Sequence, residues 1–308
     1  MWTNMFHCVP TEQQVEELVA AGFEHAELAC ETIVNPETKQ LSRPHAERLR
    51  KRCDALGLKT PQVHYPICTL NPDVKYPKFN PDRRRGSLAR AMLTEFAHLS
   101  EARREYDLRC AEELLELCPV CGIEVMVVHP GGLMGWDSDE ELERIHRLNV
   151  EAMRRLVPAA AKHGVTIALE NMGRVGERAS YGADFGQIIR LVDEVGSEHV
   201  GICLEHGAAG AAPCTSHANY MKLDIPGAIR RCGHRLVATH MSDNLGAHDD
   251  HLMPYGGRIN WKPVVDALRE AGYARLFNLE IPGENRCPLE IIRLKARYAR
   301  ELLGKMLC

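Results

Sequence analysis

Six short stretches of the chain end on side chains that can ligate a cation or move a proton. They are "VHYP" at His64, "VVHPGG" at His129, "ALEN" at Glu170, "CLEHG" at Glu205, "ATHMSDN" at His240 and "NLEIPG" at Glu280. Each imidazole or carboxylate follows an apolar run, which places it beside a low-dielectric core where a charge needs a partner. One divalent cation satisfies three carboxylates and an imidazole together, and mixed oxygen and nitrogen ligation suits manganese, magnesium, cobalt or zinc. The chemistry open to such a set is proton abstraction next to a carbonyl. A cation polarises the carbonyl and its neighbouring hydroxyl, and a carboxylate takes the proton and returns it there or elsewhere. Isomerisation, epimerisation and dehydration share this first step.

The elements that must position these residues follow from hydrophobic periodicity. Strands are expected at 6–9, 25–30, 60–65, 123–129, 165–171, 199–205, 235–241 and 275–281. Amphipathic helical patterns alternate with them, among them "TEQQVEELVAAGF", "RPHAERLRKRCDALGL", "DEELERIHRLNVEAMRRLVPAAAKHG", "DFGQIIRLVDEVG" and "WKPVVDALREAGY". Gly22, Gly57, Gly164 and Gly272 stand where such helices should stop. Eight strands alternating with helices predict a parallel sheet closed into a single (β/α)8 TIM barrel over residues 1–308, with the chemistry at the strand ends. A doubly wound open sheet is the competing topology, but "HCVPTEQQ" is no glycine-rich phosphate turn after the first strand. The proline-rich, basic segment 71–87 reads as an excursion over the barrel mouth, where Arg83, Arg84 and Arg85 either meet an anionic substrate or are merely solvated.

A chain of 308 residues with 45% hydrophobic and 26% charged residues has an ordinary soluble composition, and its net charge of -4 supplies no general attraction for nucleic acid. No apolar run is long enough to cross a bilayer, and the N-terminus lacks the pattern of a signal peptide. The twelve cysteines are scattered and are expected as reduced thiols in a cytoplasmic protein. Cys118-Pro119-Val120-Cys121 has redox spacing but sits between a helix and a strand, which favours a structural role.

The stretches "VVHPGG", "ALENMG", "ATHMSDN", "HDDHLMPYGG" and "NLEIPG" resemble the sugar phosphate isomerase/epimerase family, the xylose isomerase-like barrels. That superfamily includes ketose 3-epimerases, inosose dehydratases and type IV apurinic endonucleases. The resemblance implies one divalent metal ion held by Glu170, a carboxylate after "GICL", His240 and Glu280. It also implies that Glu170 and Glu280 face each other across the substrate as the proton-transferring pair. His64, His129 and His217, with Asp249 and His251 of the "HDDH" loop, are then expected at the substrate, and Arg258 is a further candidate contact. The implied substrate is a small sugar, sugar phosphate or cyclitol, and a homodimer or homotetramer is the family's usual assembly.

The segment "GICLEHGAAGAAPCTSHANY" departs from the family, whose members usually carry Asp at this strand tip followed three residues later by His. Counting from the strand selects Glu205 as the metal-binding carboxylate; counting back from His240 selects Cys214 and His217. An insertion near 206–214 reconciles the two, with Glu205 as ligand and His217 at the substrate, since a longer surface loop costs little. Two other functions compete. In a metal-dependent phosphodiesterase like the type IV endonucleases, His64, His129, Asp249 and His251 would join a multi-metal cluster, although Ala208 stands where a ligand histidine would be expected. A binding barrel without metal is the other. The metal count per chain separates them: one for sugar chemistry, two or three for the nuclease, none for the binding barrel.

Overall fold

The computed structural model describes residues 1–35, 37–38, 40–65, 96–97, 101–132, 135–175, 178–205, 224–246, 250–281 and 287–308. The excursion at 71–87, the insertion at 206–214, and Cys214, His217 and Asp249 lie outside the described residues.

Strands β1 (His25–Ala29), β2 (Lys59–His64), β3 (Val125–Val128), β4 (Thr166–Glu170), β7 (Val200–Glu205), β8 (Leu236–Met241) and β9 (Asn278–Leu279) form one parallel seven-stranded sheet in that spatial order. A small antiparallel pair, β5 (Arg174–Val175) and β6 (Arg178–Ala179), follows β4. The helices that return the chain are α1 (Thr11–Ala20), α2 (Arg43–Leu56), α3 (Glu101–Cys121), α4 (Asp139–His163), α5 (Phe185–Val195), α6 (Ile225–Cys232), α7 (Trp261–Glu270) and α8 (Leu289–Met306). Strand and helix alternate around a nearly closed TIM barrel, as the sequence pattern predicts.

The expected first strand is displaced. Residues Thr3–Phe6 form a 3-10 helix, and the barrel is closed instead by the two residues before it. Trp2 bridges Glu27 in parallel, its N–H donates to Leu279 O at 3.1 Å, and Glu27 N–H donates to Met1 O at 3.0 Å. The apolar positions Met5, Phe6 and Val9 are spaced as on a helix rather than alternating, and Met5 and Phe6 bury themselves in the core from that turn.

Local chemistry explains the helix ends. Ser138 Oγ accepts Glu141 N–H at the start of α4, whose first turn is acidic and whose last turn carries Lys162 and His163, matching the helix dipole at both ends. Gly164 then takes φ 66°, a left-handed stop that any Cβ would oppose.

Alternation along each strand divides the core into two regions. Leu28, Val63, Met126, Ile167, Leu169, Ile202, Leu204, Met241 and Leu279 face outward into the strand–helix core. Val125, Val127, Ala168, Cys203 and Ala238 face inward as a separate apolar cluster in the barrel lumen. These lumenal residues are small or branched, so they fill the barrel while leaving its carboxyl-terminal mouth to polar groups. No described helix is long and apolar enough to cross a membrane.

Candidate active site

Because side chains alternate, the last inward position of each strand lies one layer above the residues that fill the lumen. His64 follows Gln62 inward, Glu170 follows Ala168, Glu205 follows Cys203, His240 follows Ala238, and Glu280 follows Asn278. His129 stands just past β3 on the same face as Val127. The seven-stranded register therefore brings six of the residues singled out in the sequence to one mouth, and the loop after β8 adds His251.

Glu170 is the centre of this cluster. Its Oε2 lies 3.0 Å from His64 Nε2 and 3.2 Å from His129 Nε2, and its Oε1 lies 3.1 Å from His240 Nδ1. The His64 ring sits against His129 and His240, with centroids 5.2 and 5.0 Å away, and Trp2 meets it edge-on at 6.0 Å. Burial opposes ionisation of Glu170, but His240 and His129 outweigh it and hold the carboxyl well below the usual carboxylate range. His240 shows the reciprocal balance: burial disfavours its charge, yet the surrounding acidic groups, Glu27, Glu280 and Glu170 among them, hold its pKa well above that of an ordinary histidine.

Glu280 completes the inner group. Its Oε2 lies 3.4 Å from His240 Nδ1, and this buried oxygen has no hydrogen-bond donor among the described residues. Glu205 stands beyond it, Oε1 3.8 Å from His251 Nε2. Asn171 sets the Glu205 backbone: its Nδ2 donates to Glu205 O at 3.0 Å and its Oδ1 accepts Glu205 N–H at 2.7 Å. His251 takes a left-handed φ of 45°, and its Nδ1 donates to Glu280 O at 2.7 Å, so Nε2 is turned to the site.

Two groups of these atoms are spaced to hold a cation, His64–Glu170–His240 and Glu205–His251–Glu280, with each group's ligand atoms within 4.8 Å of one another. The chemistry of the donors fits. Carboxylates this buried need compensating charge, and the oxygen and nitrogen atoms that converge here are those that borderline and hard divalent cations take. The undonated Glu280 Oε2 is a further acceptor aimed at the same space. The set expected from the sequence, Glu170, Glu205, His240 and Glu280, spans both groups.

The remaining candidates fare differently. Arg258 is exposed on the loop, where its main-chain N–H donates to Asn244 O at 2.9 Å. Cys118 and Cys121 fall in the last turn of α3, buried and free, and burial pushes the Cys121 thiol up to about 12. These are neutral packing groups without redox character.

Sequence reasoning missed the layer below. Glu27, Gln62 and Asn278 are buried polar residues pointing into the lumen beneath the cluster, and Asp243 anchors the loop that carries His251. The signal was available in "HAELA", "PQVH" and "FNLE". Each places a polar residue at an inward position two before the strand tip, where an apolar filler is the usual choice.

With this geometry in hand, the chain belongs to the xylose isomerase-like TIM barrel family, whose model matches residues 15–304. An uncharacterised protein of Methanocaldococcus jannaschii is 25% identical over 266 residues, covering 86% of this chain and 77% of that protein. A D-psicose 3-epimerase of Enterocloster bolteae is 26% identical over 160 residues, covering 49% of this chain and 47% of the relative. Among solved structures, a D-tagatose 3-epimerase-like protein superposes with a TM-score of 0.67 at 22% identity, covering 93% of this chain and 89% of the other. At that identity the likeness speaks for the fold.

Proposed function

We propose that this chain is a divalent-metal-dependent isomerase or epimerase that moves a proton next to the carbonyl of a small sugar, sugar phosphate or cyclitol. The observation that carries the reading is the pair Glu170 and Glu280, which flank His240 Nδ1 at 3.1 and 3.4 Å in a buried pocket. One of these carboxylates is surrounded by imidazoles and the other keeps an oxygen without a donor, so their environments differ as an acid/base pair requires.

Glu170, Glu205, His240 and Glu280 would hold one Mn2+, Mg2+, Co2+ or Zn2+ ion. Bound there, the cation would polarise the substrate carbonyl and the hydroxyl beside it, lowering the cost of the enediolate. The chain's own residues do the rest. Glu280 Oε2 takes the proton from the carbon next to the carbonyl. Glu170, kept anionic by His64, His129 and His240, receives or returns a proton on the opposite side. His64, His129 and His251, with His217 and Asp249, orient the hydroxyls. The partial likeness to a D-psicose 3-epimerase makes ketoses the first substrates to try.

Turnover in deuterium oxide tests this. Product should carry solvent deuterium at the epimerised carbon, and Glu280→Gln should slow incorporation by about 10²-fold or more. Product formed without solvent label would mean hydride transfer, and the proposed proton chemistry would be wrong.

One observation supports a second reading. His64 and His129 both converge on Glu170 Oε2, at 3.0 and 3.2 Å, which is a ready site for another cation beside the first. A metal-dependent phosphodiesterase would use it, and two or three ions per chain in elemental analysis would favour that activity over the sugar chemistry.

A further inference from the structure

Below the cluster lies a carboxylate that no step above uses. Glu27, in the middle of β1, is wholly buried, yet its surroundings are not those of a misplaced charge. Its Oε1 accepts His240 Nε2–H at 2.7 Å and Gln62 Nε2–H at 2.8 Å, and its Oε2 accepts a short hydrogen bond from Asn278 Nδ2. Strand register builds this arrangement. Glu27 pairs with Gln62 across β1 and β2, His240 pairs with Asn278 across β8 and β9, and Trp2 brings the two edges together. Both amides turn their NH2 groups to Glu27, so every neighbour in reach donates to it.

We propose that Glu27 is the positioning residue that commits His240 to coordinate through Nδ1. This rests on the reading that the cluster holds a divalent cation. The argument is one of hydrogen-bond inventory. An ionised carboxylate only accepts, so the imidazole nitrogen facing it carries the hydrogen. That nitrogen is Nε2. The other, Nδ1, faces Glu170 Oε1 and Glu280 Oε2 at 3.1 and 3.4 Å. A cation held by those two carboxylates would displace the hydrogen they hold on Nδ1 and take its lone pair, while Nε2 keeps its hydrogen on Glu27. A carboxylate behind a ligating histidine fixes both its tautomer and its ring plane, and makes the ligand more basic. Gln62 and Asn278 do for Glu27 what Glu27 does for His240: they hold its two oxygens in place. The ring could otherwise rotate or exchange tautomers, and Nδ1 would then present a hydrogen to the cation.

The test uses the full-length protein and needs no substrate. Mn2+ affinity is read from the spectrum of the free ion during titration, and the His240 tautomer is read from long-range 1H–15N spectra of labelled protein with one equivalent of Zn2+, a diamagnetic stand-in. Wild-type His240 should show a metal-bound Nδ1 and a protonated Nε2. Glu27→Gln keeps the shape and one neutral acceptor, and Asn278 can turn its amide to match. It should weaken Mn2+ binding by about 10–100-fold, while the metal-free variant melts close to metal-free wild type. A purely structural role would reverse that pattern, lowering the melting temperature and leaving affinity alone. Unchanged affinity in Glu27→Gln, or a wild-type His240 ligated through Nε2, overturns the proposal. Should Glu27→Gln not fold, the wild-type spectrum decides by itself. A wild-type protein that binds no Mn2+ fails at the earlier step, sinking the metal reading together with this inference.

Discussion

Replacing Asp243 measures how firmly the fold holds the loop that delivers His251. The carboxylate is fully buried and accepts three N–H donors. The Asn244 and Ile259 main-chain amides reach Oδ1 at 2.8 and 3.1 Å, and the Trp261 indole reaches Oδ2 at 2.9 Å. The main chain of Asp243 also pairs with Leu252 across the neck of the loop, at 2.7 and 2.8 Å. Gly257 passes so close that a Cβ there would lie 2.3 Å from Asn244 O and from Asp243 Oδ1. Asp243→Ala strips the acceptor from three buried donors, each worth about 1–3 kcal/mol when left unpaired. With partial relaxation the loss should be about 3–6 kcal/mol, a large share of the roughly 5–15 kcal/mol that a folded domain has. At an m-value of about 3 kcal/mol/M, the urea midpoint should fall by about 1–2 M.

Asp243→Asn is the sharper probe. Its Oδ1 still takes the two amides, but its NH2 meets the Trp261 N–H, donor against donor, at a cost of about 1–3 kcal/mol. Trp261→Phe removes the same bond from the other side. The double variant should therefore cost less than the sum of the singles, by a coupling of about 1–2 kcal/mol. Urea unfolding of wild type, Asp243→Ala and the three variants of the cycle checks this. A midpoint for Asp243→Ala within about 0.3 M of wild type, or strict additivity in the cycle, would refute the reasoning.

Two further outcomes follow from the site. Chelation should lower the melting temperature by about 5 °C relative to protein in Mn2+ at about 100 times its Kd, since binding then adds about 2.7 kcal/mol; an identical melt with and without the ion, alongside full activity in metal-free protein, would end the metal reading. Glu205→Ala should lose the bound ion in elemental analysis while Cys214→Ser retains it and His217→Ala retains it with weakened turnover. The reverse result for Glu205 and Cys214 would show that counting back from His240 was the better guide and shift the native cation towards zinc.

Most of the barrel was legible because periodicity and stop signals agreed. "CLEHG" ends its strand at Glu205 as read, "ALEN" ends one at Glu170, one residue before the expected 171, and Gly57 and Gly164 end helices where expected. The first strand was misread because "FHCV" is a short apolar run, and periodicity alone does not separate a strand from a buried turn of helix at that length. The closing pair Met1–Trp2 carries no periodic signal at all; two residues cannot alternate. At the site, the tip residues were readable one strand at a time, since each interrupts an apolar run. Glu27, Gln62 and Asn278 were not, because their meaning lies in a contact between β1, β2, β8 and β9 that only the closed register creates. Asp243 was hidden for a related reason: "SDN" reads as a turn, and its partners arrive sixteen and eighteen residues later.

The register also explains why residues added after the strand tip would not displace the carboxylate before it. Glu205 is fixed from the upstream side. It pairs with His240 in the β7–β8 ladder, its neighbour Cys203 fills the lumen two residues below, and Asn171 clasps its main-chain N–H and C=O. A one-residue slip would turn Leu204 into the site and Glu205 into the helix core, exchanging a buried apolar contact for a buried charge. Extra residues after the strand tip carry no such penalty, because loop closure grows only slowly with length. The physical cost of a change therefore differs between the two parts: a slip in the strand buries a charge, whereas residues added after its tip cost little. A residue counted back across that loop from His240 inherits every insertion in it, whereas one counted forward along β7 inherits none. The ladder holds Glu205 with Oε1 3.8 Å from His251 Nε2, and on this ground we propose it, rather than Cys214, as the metal ligand.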